Sequence, residues 1–529
     1  MPSFSISPPL KRVVKHLPRP LLSRVTVDLD EGLYTTALPL LRQLLISSQS
    51  HPQASTLPAY IPPPQHIALL LTLIVHPQYT TRAANRDNLL VSVSAQSLLW
   101  EYLEVAGVGD LQWDKVLQFS GQSRGDGRLD RRQLRRSGEF KKHRSDLDGG
   151  VTEQEEEDGL GMIGDKHRLA NEQSVFNRAA QFWDVVGWAF YCSMAWMQRW
   201  EYWRGWLEFV IEVLERDWNA RKRASAEATD QERRLDTAVI VSYLEALENR
   251  AAWRRVMKAI LADGSDDCQK AFKEVWKNET KERKNESDAK KFEKLKKIDI
   301  ENADYGDYDG DDEKLADSPE PASDSETSQD TDMDVDEEEV DYMQELGGYE
   351  AVQLRQRLIA LICDVLDHVT FPAWRLDEML DIITESMRPL PIPQYTVLLR
   401  TTKLTPLLHR ALHFDLLIPH MINIPRKLNV FNVPTSIFLE KFLSCSANSY
   451  TTPDNLKVSL VLERLLIELL ESGQVKCDKQ LQKAVDTGIR ARNERALGEG
   501  KKQLIELDGK AALQMSAERL RLLVELAVE

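Results

Sequence analysis

Clustered cysteine is the first thing this chain lacks. Its five cysteines, Cys192, Cys268, Cys363, Cys445 and Cys477, are scattered over 529 residues and form no CxxC pair. An odd, dispersed set excludes a disulfide framework and a cysteine-rich zinc site, and fits reduced thiols in an intracellular compartment. Long apolar runs are missing as well. The longest, Ile67 to Val75, is far short of the ~20 residues a spanning helix needs, so no membrane partner is expected. No signal-peptide core follows Met1. Lys11, Arg12, Lys15, Arg19 and Arg24 precede the first acidic residue, Asp28, which faintly echoes a mitochondrial presequence. Pro8, Pro9, Pro18 and Pro20 would interrupt the helix such a presequence needs.

Basic charge is absent from one stretch above all. Residues Glu301 to Glu350 hold 21 Asp/Glu and a single basic residue, Lys314, a net of −20 that leaves +4 on the rest of a chain whose total is −16. Such a tract repels itself and buries little, so it is expected to be a disordered acidic insert. A second polar break, residues 120–170, carries Arg131, Arg132, Arg135, Arg136, Lys141, Lys142 and Arg144, followed by acidic Glu153 to Asp158. Its few large apolar residues cannot offset the entropy of ordering it.

These two stretches divide the chain into an N-terminal helical block (1–119), a polar linker (120–170), a tryptophan-rich helical block (171–300), the acidic insert (301–350) and a C-terminal helical block (351–529). In the first block, Leu38 to Leu45 form an apolar cluster, His66 to Val75 reads as a buried helix after Pro62-Pro63-Pro64, and Leu89 to Val105 as a third helix. Val91-Ser92-Val93-Ser94 could instead be a short strand, because alternation over four residues is ambiguous.

Seven of the 12 tryptophans fall between Trp183 and Trp218. Trp196, Trp200, Trp203, Leu207, Val210 and Leu214 follow the spacing of one helix face. With Trp206 beside them, these tryptophans are candidate core or interface anchors, because each can bury roughly 150–250 Å² and tryptophan is enriched in binding hot spots. Leu235 to Ala262 reads as another helix, and charged Lys270 to Lys297 as a long solvated one. In the last block, Leu354, Leu358, Leu361, Val365 and Val369 form an amphipathic stripe. Trp374 to Met387 repeats that pattern before Pro389, Pro391 and Pro393. Thr452-Pro453 is an N-cap and N1 pair opening Leu456 to Leu470, with Gly473 after its end. Lys510 to Val528 closes the chain as a leucine-rich helix. Strand alternation is nearly absent, so the expected class is all-α: helical hairpins that could stack as a degenerate HEAT-like α-solenoid, interrupted by disordered charged insertions.

Enzyme motifs fail on inspection. Gly121-Gln122-Ser123-Arg124-Gly125 satisfies G-x-S-x-G, but no hydrophobic strand leads into it to form the nucleophile elbow. His409 and His413 are spaced as two zinc ligands on a helix, but position 410 is Arg rather than Glu, no carboxylate constellation lies near in sequence, and His420 is the one further imidazole in reach. Core histidines are the plainer reading. Aligning Gly310 to an EF-hand turn puts Tyr305 and Ala316 at ligand positions, which excludes calcium binding of that kind. Gly498-Glu499-Gly500-Lys501 lacks the glycine spacing and hydroxyl of a P-loop. No catalytic residue, metal, cofactor or small-molecule substrate is therefore expected.

What remains is regulation and association. Ser323 and Thr331 each precede a carboxylate by three residues, and Ser318 precedes Pro319. All three are candidate phosphorylation sites in the acidic insert. The basic run from Arg131 to Arg144 is a candidate nuclear-import signal or phosphate-contacting patch. The composition leads to a non-catalytic helical scaffold, an interaction subunit of a nuclear multiprotein complex in genome maintenance or chromatin, of the kind that serves DNA repair or accompanies SMC-type complexes. Its partners would be other protein subunits, with DNA or histones as weak or indirect ones. The alternatives are a nucleic-acid-binding subunit autoregulated by its acidic insert and, third, an enzyme of unrecognised type. The expected compartment is the nucleus, ahead of the cytoplasm.

Overall fold

The computed structural model describes residues 13–46, 58–120, 162–227, 234–281, 345–371, 375–401, 404–422, 424–425, 428–496 and 507–526. The chain is mostly helical. Strand β1 (Val14–His16) leads into α1 (Arg19–Asp30) and α2 (Tyr34–Ile46), and β2 (Ala59–Ile61) into α3 (Pro64–Val75) and α4 (Arg86–Ala106). The tryptophan-rich block forms α5 (Phe182–Ala195), the 31-residue α6 (Met197–Glu227), α7 (Val239–Glu245), α8 (Arg250–Ile260) and α9 (Asp266–Ala271). The last block forms α10 (Gly348–His368), α11 (Leu376–Met387), α12 (Ile392–Thr401), α13 (Pro406–Leu417), α14 (Thr452–Glu471), α15 (Lys479–Ala496) and α16 (Leu507–Leu526).

Local chemistry explains where these helices begin. Pro64 opens α3, where the missing N–H would have had no helical partner anyway. The Asn85 side chain caps α4 by accepting from the Asn88 N–H at 2.9 Å, and that of Asn249 caps α8 by accepting from Ala252 at 3.0 Å. Tertiary packing then selects the faces. α3 is buried at His66, Ile67 and every position from Leu69 to Val75, as a helix apolar all round must be. It lies on α4 and α6; α5 packs on α6 and α8; α10 packs on α5, α6 and α8. From there contacts pass through α11 and α12 to α13, α14, α15 and α16. Buried apolar side chains from all three sequence blocks join one cluster running from Leu17 to Val524. All five cysteines are free.

Several sequence expectations are corrected. The all-α expectation missed β1 and β2, which pair in parallel with Val14 opposite Ala59 and His16 opposite Ile61. Val91 to Ser94 is helical, in line with the helix expected over Leu89 to Val105 and not the strand its alternation allowed, with Ser92 buried and its hydroxyl donating to Ile74 O at 2.9 Å. The helix expected over Leu235 to Ala262 is broken after Glu245, because Asn249 caps a new start. The long solvated helix expected from Lys270 ends at Ala271. Beyond it Phe272, Val275, Trp276 and Glu279 turn inward and are buried, and residues 282–297 lie outside the described ones.

The break drawn to residue 170 ends sooner. Ile163 is buried, its N–H donates to Gln65 Oε1 at 2.8 Å, and Tyr34 Oη lies 2.9 Å from His167 Nε2. Leu346, placed in the acidic insert, is buried against the core. The cap of α14 is Thr451 rather than Thr452, with Pro453 still in the first turn. Among the described residues no helix is long and apolar enough to cross a membrane.

Candidate functional site

The predicted anchor tryptophans separate into two kinds. Trp200, Trp203 and Trp206 are core residues, 3%, 0% and 0% exposed. Trp203 meets Trp206 edge to face at 5.8 Å and stacks on Trp276 at 5.9 Å. Trp196 does not belong to their helix face. It sits between α5 and α6 with φ −143° and ψ 72° and is 43% exposed, beside Met194 at 38% and Met197 at 59%. Among the described residues it is the one tryptophan classed as exposed. With Ala195 and Gln198 also exposed, the chain presents an apolar elbow, Met-Ala-Trp-Met.

Two buried arginines fix this elbow from either side. Arg199, in the first turn of α6, donates to Glu279 Oε2 through Nε at 2.7 Å and to Thr80 Oγ1 at 2.8 Å. It also donates to Val75 O at the end of α3. Glu279 in turn accepts from Val275 N–H at 2.8 Å. Burial pushes the Glu279 carboxyl above its ordinary range, and Arg199 opposes that shift.

On the other side, Arg355 of α10 is fully buried. It donates to Leu346 O at 3.2 Å, Ala262 O at 2.9 Å and Ser193 Oγ at 3.2 Å, and also to Ile260 O. Its guanidinium lies 4.2 Å from the Phe190 ring centroid. The partial negative charge of the carbonyls at and just past the end of α8, together with Leu346 O, stands in for a carboxylate.

Gly264 completes the corner. Its φ is +79°, and a Cβ there would come within 2.7 Å of Met194 Cβ, so the position requires glycine.

A second stripe packs along the middle of α6. On α4, Gln96 closes on Gly205, Trp100 meets Phe209 edge to face at 5.1 Å, and Glu104 pairs with Arg216 at 2.7 Å. The i, i+4, i+7, i+11 stripe that contains them continues N-terminally to Val93 and Leu89, 60% and 37% exposed.

The third grouping is polar. Thr405 caps α13, whose His409 and His413 stand one turn apart with ring centroids 4.2 Å apart. α14 brings Glu468 against both, with Oε1 2.5 Å from His409 Nδ1 and 3.3 Å from His413 Nδ1. His413 is 1% exposed, while His409 and Glu468 keep 20% and 18% of their side-chain surface. Burial would raise the Glu468 carboxyl, but hydrogen bonds and charge from the two imidazoles outweigh it and hold the group at about 2. Burial lowers His413, with Glu468 opposing.

The sequence offered no carboxylate constellation near these histidines. Glu468 arrives from 55 positions downstream through helix packing, which no local spacing signals. His420 is placed elsewhere, with Nδ1 4.0 Å from Asp454 Oδ1.

The remaining candidates, Ser318, Ser323, Thr331, Arg131, Arg132, Arg135, Arg136, Lys141, Lys142 and Arg144, lie outside the described residues, as do the Gly121–Gly125 motif and the acidic insert up to residue 344. Compared with known proteins, the chain matches no family model, no curated protein and no solved structure.

Proposed function

We propose that this chain is a non-catalytic helical scaffold, an interaction subunit of a nuclear multiprotein complex in genome maintenance or chromatin, whose partner docks on the Met194–Met197 elbow. The observation that carries the reading is Trp196. Tryptophans of the same block fill the core, yet this one is presented to solvent on a corner held by Arg199 and Arg355. A large exposed indole on a rigid support is an expensive surface for a free monomer and a good anchor for a partner. The flanking methionines adapt to an opposing apolar surface. A protein presenting an apolar helix face is the partner this surface fits.

The stack of helices supports the same reading. Helices pack on distant partners as well as on neighbours, α3 on α6, α5 on α8 and α14 on α16, and this continuous helical body gives the elbow a rigid support. The nuclear assignment rests on the basic run from Arg131 to Arg144 and the acidic tract from Glu301 to Glu350.

The test is affinity purification of the tagged full chain from nuclei, in parallel with Trp196→Ala. The reading predicts near-stoichiometric protein partners with the native chain and loss of at least one with the variant, at unchanged melting temperature. Recovery of the bait alone, or an identical set from both proteins, would overturn it.

A further inference from the structure

We propose that His409, His413 and Glu468 form a zinc(II) site. The argument starts from geometry. One ligand atom from each residue can be chosen so that all three lie within 4.8 Å of one another. Ligands about 2.0–2.2 Å from a tetrahedral zinc stand roughly 3.3–3.6 Å apart. The approaches to Glu468 Oε1 are 3.3 Å from His413, at the lower edge of that spacing, and 2.5 Å from His409, shorter than it, so small side-chain rotations about fixed helices that part the His409 ring from the carboxylate suffice.

The hydrogen-bond pattern points the same way. His409 Nε2, His413 Nε2 and Glu468 Oε2 are buried and find no hydrogen-bond partner among the described residues. A buried imidazole nitrogen or carboxylate oxygen left without a partner is costly, and a cation would use one lone pair from each of the three residues. Two polar rings at 4.2 Å sharing one carboxylate oxygen are poorly explained as apolar packing.

The donor set selects the metal. Two imidazoles and one carboxylate suit zinc rather than magnesium or calcium, which prefer all-oxygen shells. The i, i+4 spacing on α13 puts both rings on one face, and α14 supplies the third ligand. Three protein ligands leave a fourth position open, and the partial exposure of His409 and Glu468 gives solvent a route to it. Arg464, one turn before Glu468, acts electrostatically on both His413 and Glu468. Its charge opposes a bare dication, which favours an anionic fourth ligand and makes binding weaker than at a four-ligand structural site.

The experiment uses the full chain, purified with an affinity tag that contains no histidine, and three readouts. These are metal content by elemental analysis, titration of the chelator-treated protein with zinc, and the visible spectrum after cobalt(II) substitution. The proposal expects about one zinc per chain, saturable rebinding and the intense d–d bands of a four-coordinate cobalt site. Glu468→Gln keeps the shape of the side chain, and His409→Ala removes the partly exposed ligand. Each is expected to weaken zinc at least about 100-fold while leaving far-ultraviolet circular dichroism unchanged. Absence of saturable zinc and of cobalt bands in the native chain would overturn the proposal. So would equal zinc binding by the native chain and a folded His409→Ala, Glu468→Gln double variant. If the substitutions unfold the chain, the cobalt spectrum and zinc stoichiometry of the native protein decide alone.

Discussion

His76 offers a direct test of how the elbow is anchored. It ends α3, with its ring edge-on to Trp276 at 5.1 Å and its Nδ1 accepting from the Gln78 N–H at 3.3 Å. Burial, and after it the charges of Arg199 and Arg168, lower its proton affinity from the ordinary 6.5 to about 4. The folded protein therefore refuses a proton that the unfolded chain accepts below about pH 6.5. Stability that depends on neutral His76 is present in full above that value and is lost as the pH falls toward 4. At about pH 5 the unfolded chain has nearly completed its uptake and the folded one has scarcely begun, which makes the loss about 2 kcal/mol.

His76→Asn keeps an acceptor for the Gln78 N–H and cannot be protonated. Urea denaturation of both proteins at about pH 8 and about pH 5 isolates the effect, because the other histidines titrate alike in each and cancel. The native chain is expected to lose about 2 kcal/mol more than the variant between the two conditions. Equal losses would refute the argument that Arg199 and burial exclude a charge at this corner.

Other perturbations separate anchors from ornaments. Trp203→Ala opens a cavity in the core and should cost about 3–5 kcal/mol, whereas Trp196→Ala should stay within about 1 kcal/mol; thermal melts of the pair check both. Glu279→Gln leaves Arg199 buried without its counter-charge and is expected to cost about 3–5 kcal/mol by urea denaturation. Arg355→Lys keeps the charge, but one ammonium cannot serve Leu346 O, Ile260 O, Ala262 O and Ser193 Oγ together. A loss of about 2–4 kcal/mol is expected from the unpaired acceptors, again read from urea midpoints. Gly264→Ala combines a positive φ with the close approach of Met194, and should lower the melting temperature by several degrees, equivalent to about 1–2 kcal/mol.

Periodicity made α10 legible, because it buries a face that repeats at 3.6 residues, whereas α3 and α14 were legible as dense apolar runs buried nearly all round. It also placed Trp200 and Trp203 on the inner face of α6 correctly. The same spacing extended one step too far to Trp196, since a stripe of residues does not reveal that another helix ends at Ala195. The strands escaped notice because three residues are too few for alternation, and their pairing joins segments 45 positions apart. The interruption at Asn249 was visible in principle as a capping residue, but the apolar pattern on either side masked it. Glu468 could not be found locally. Its meeting with His409 and His413 is a product of how α13 lies on α14. Buried Arg199 and Arg355 were equally illegible, because charged residues read as surface until the carbonyls and carboxylate that receive them are known.

The measurement closest to the central claim is site-specific photocrosslinking from the elbow. A benzoylphenylalanine placed at position 196 in the full chain would be irradiated in nuclei, beside a control at exposed Glu208 on the body of α6. The account predicts one dominant protein crosslinked from position 196 and not from position 208, recovered in near-stoichiometric amount. Crosslinks from both positions to the same scattered set of proteins, or none from position 196, would contradict it.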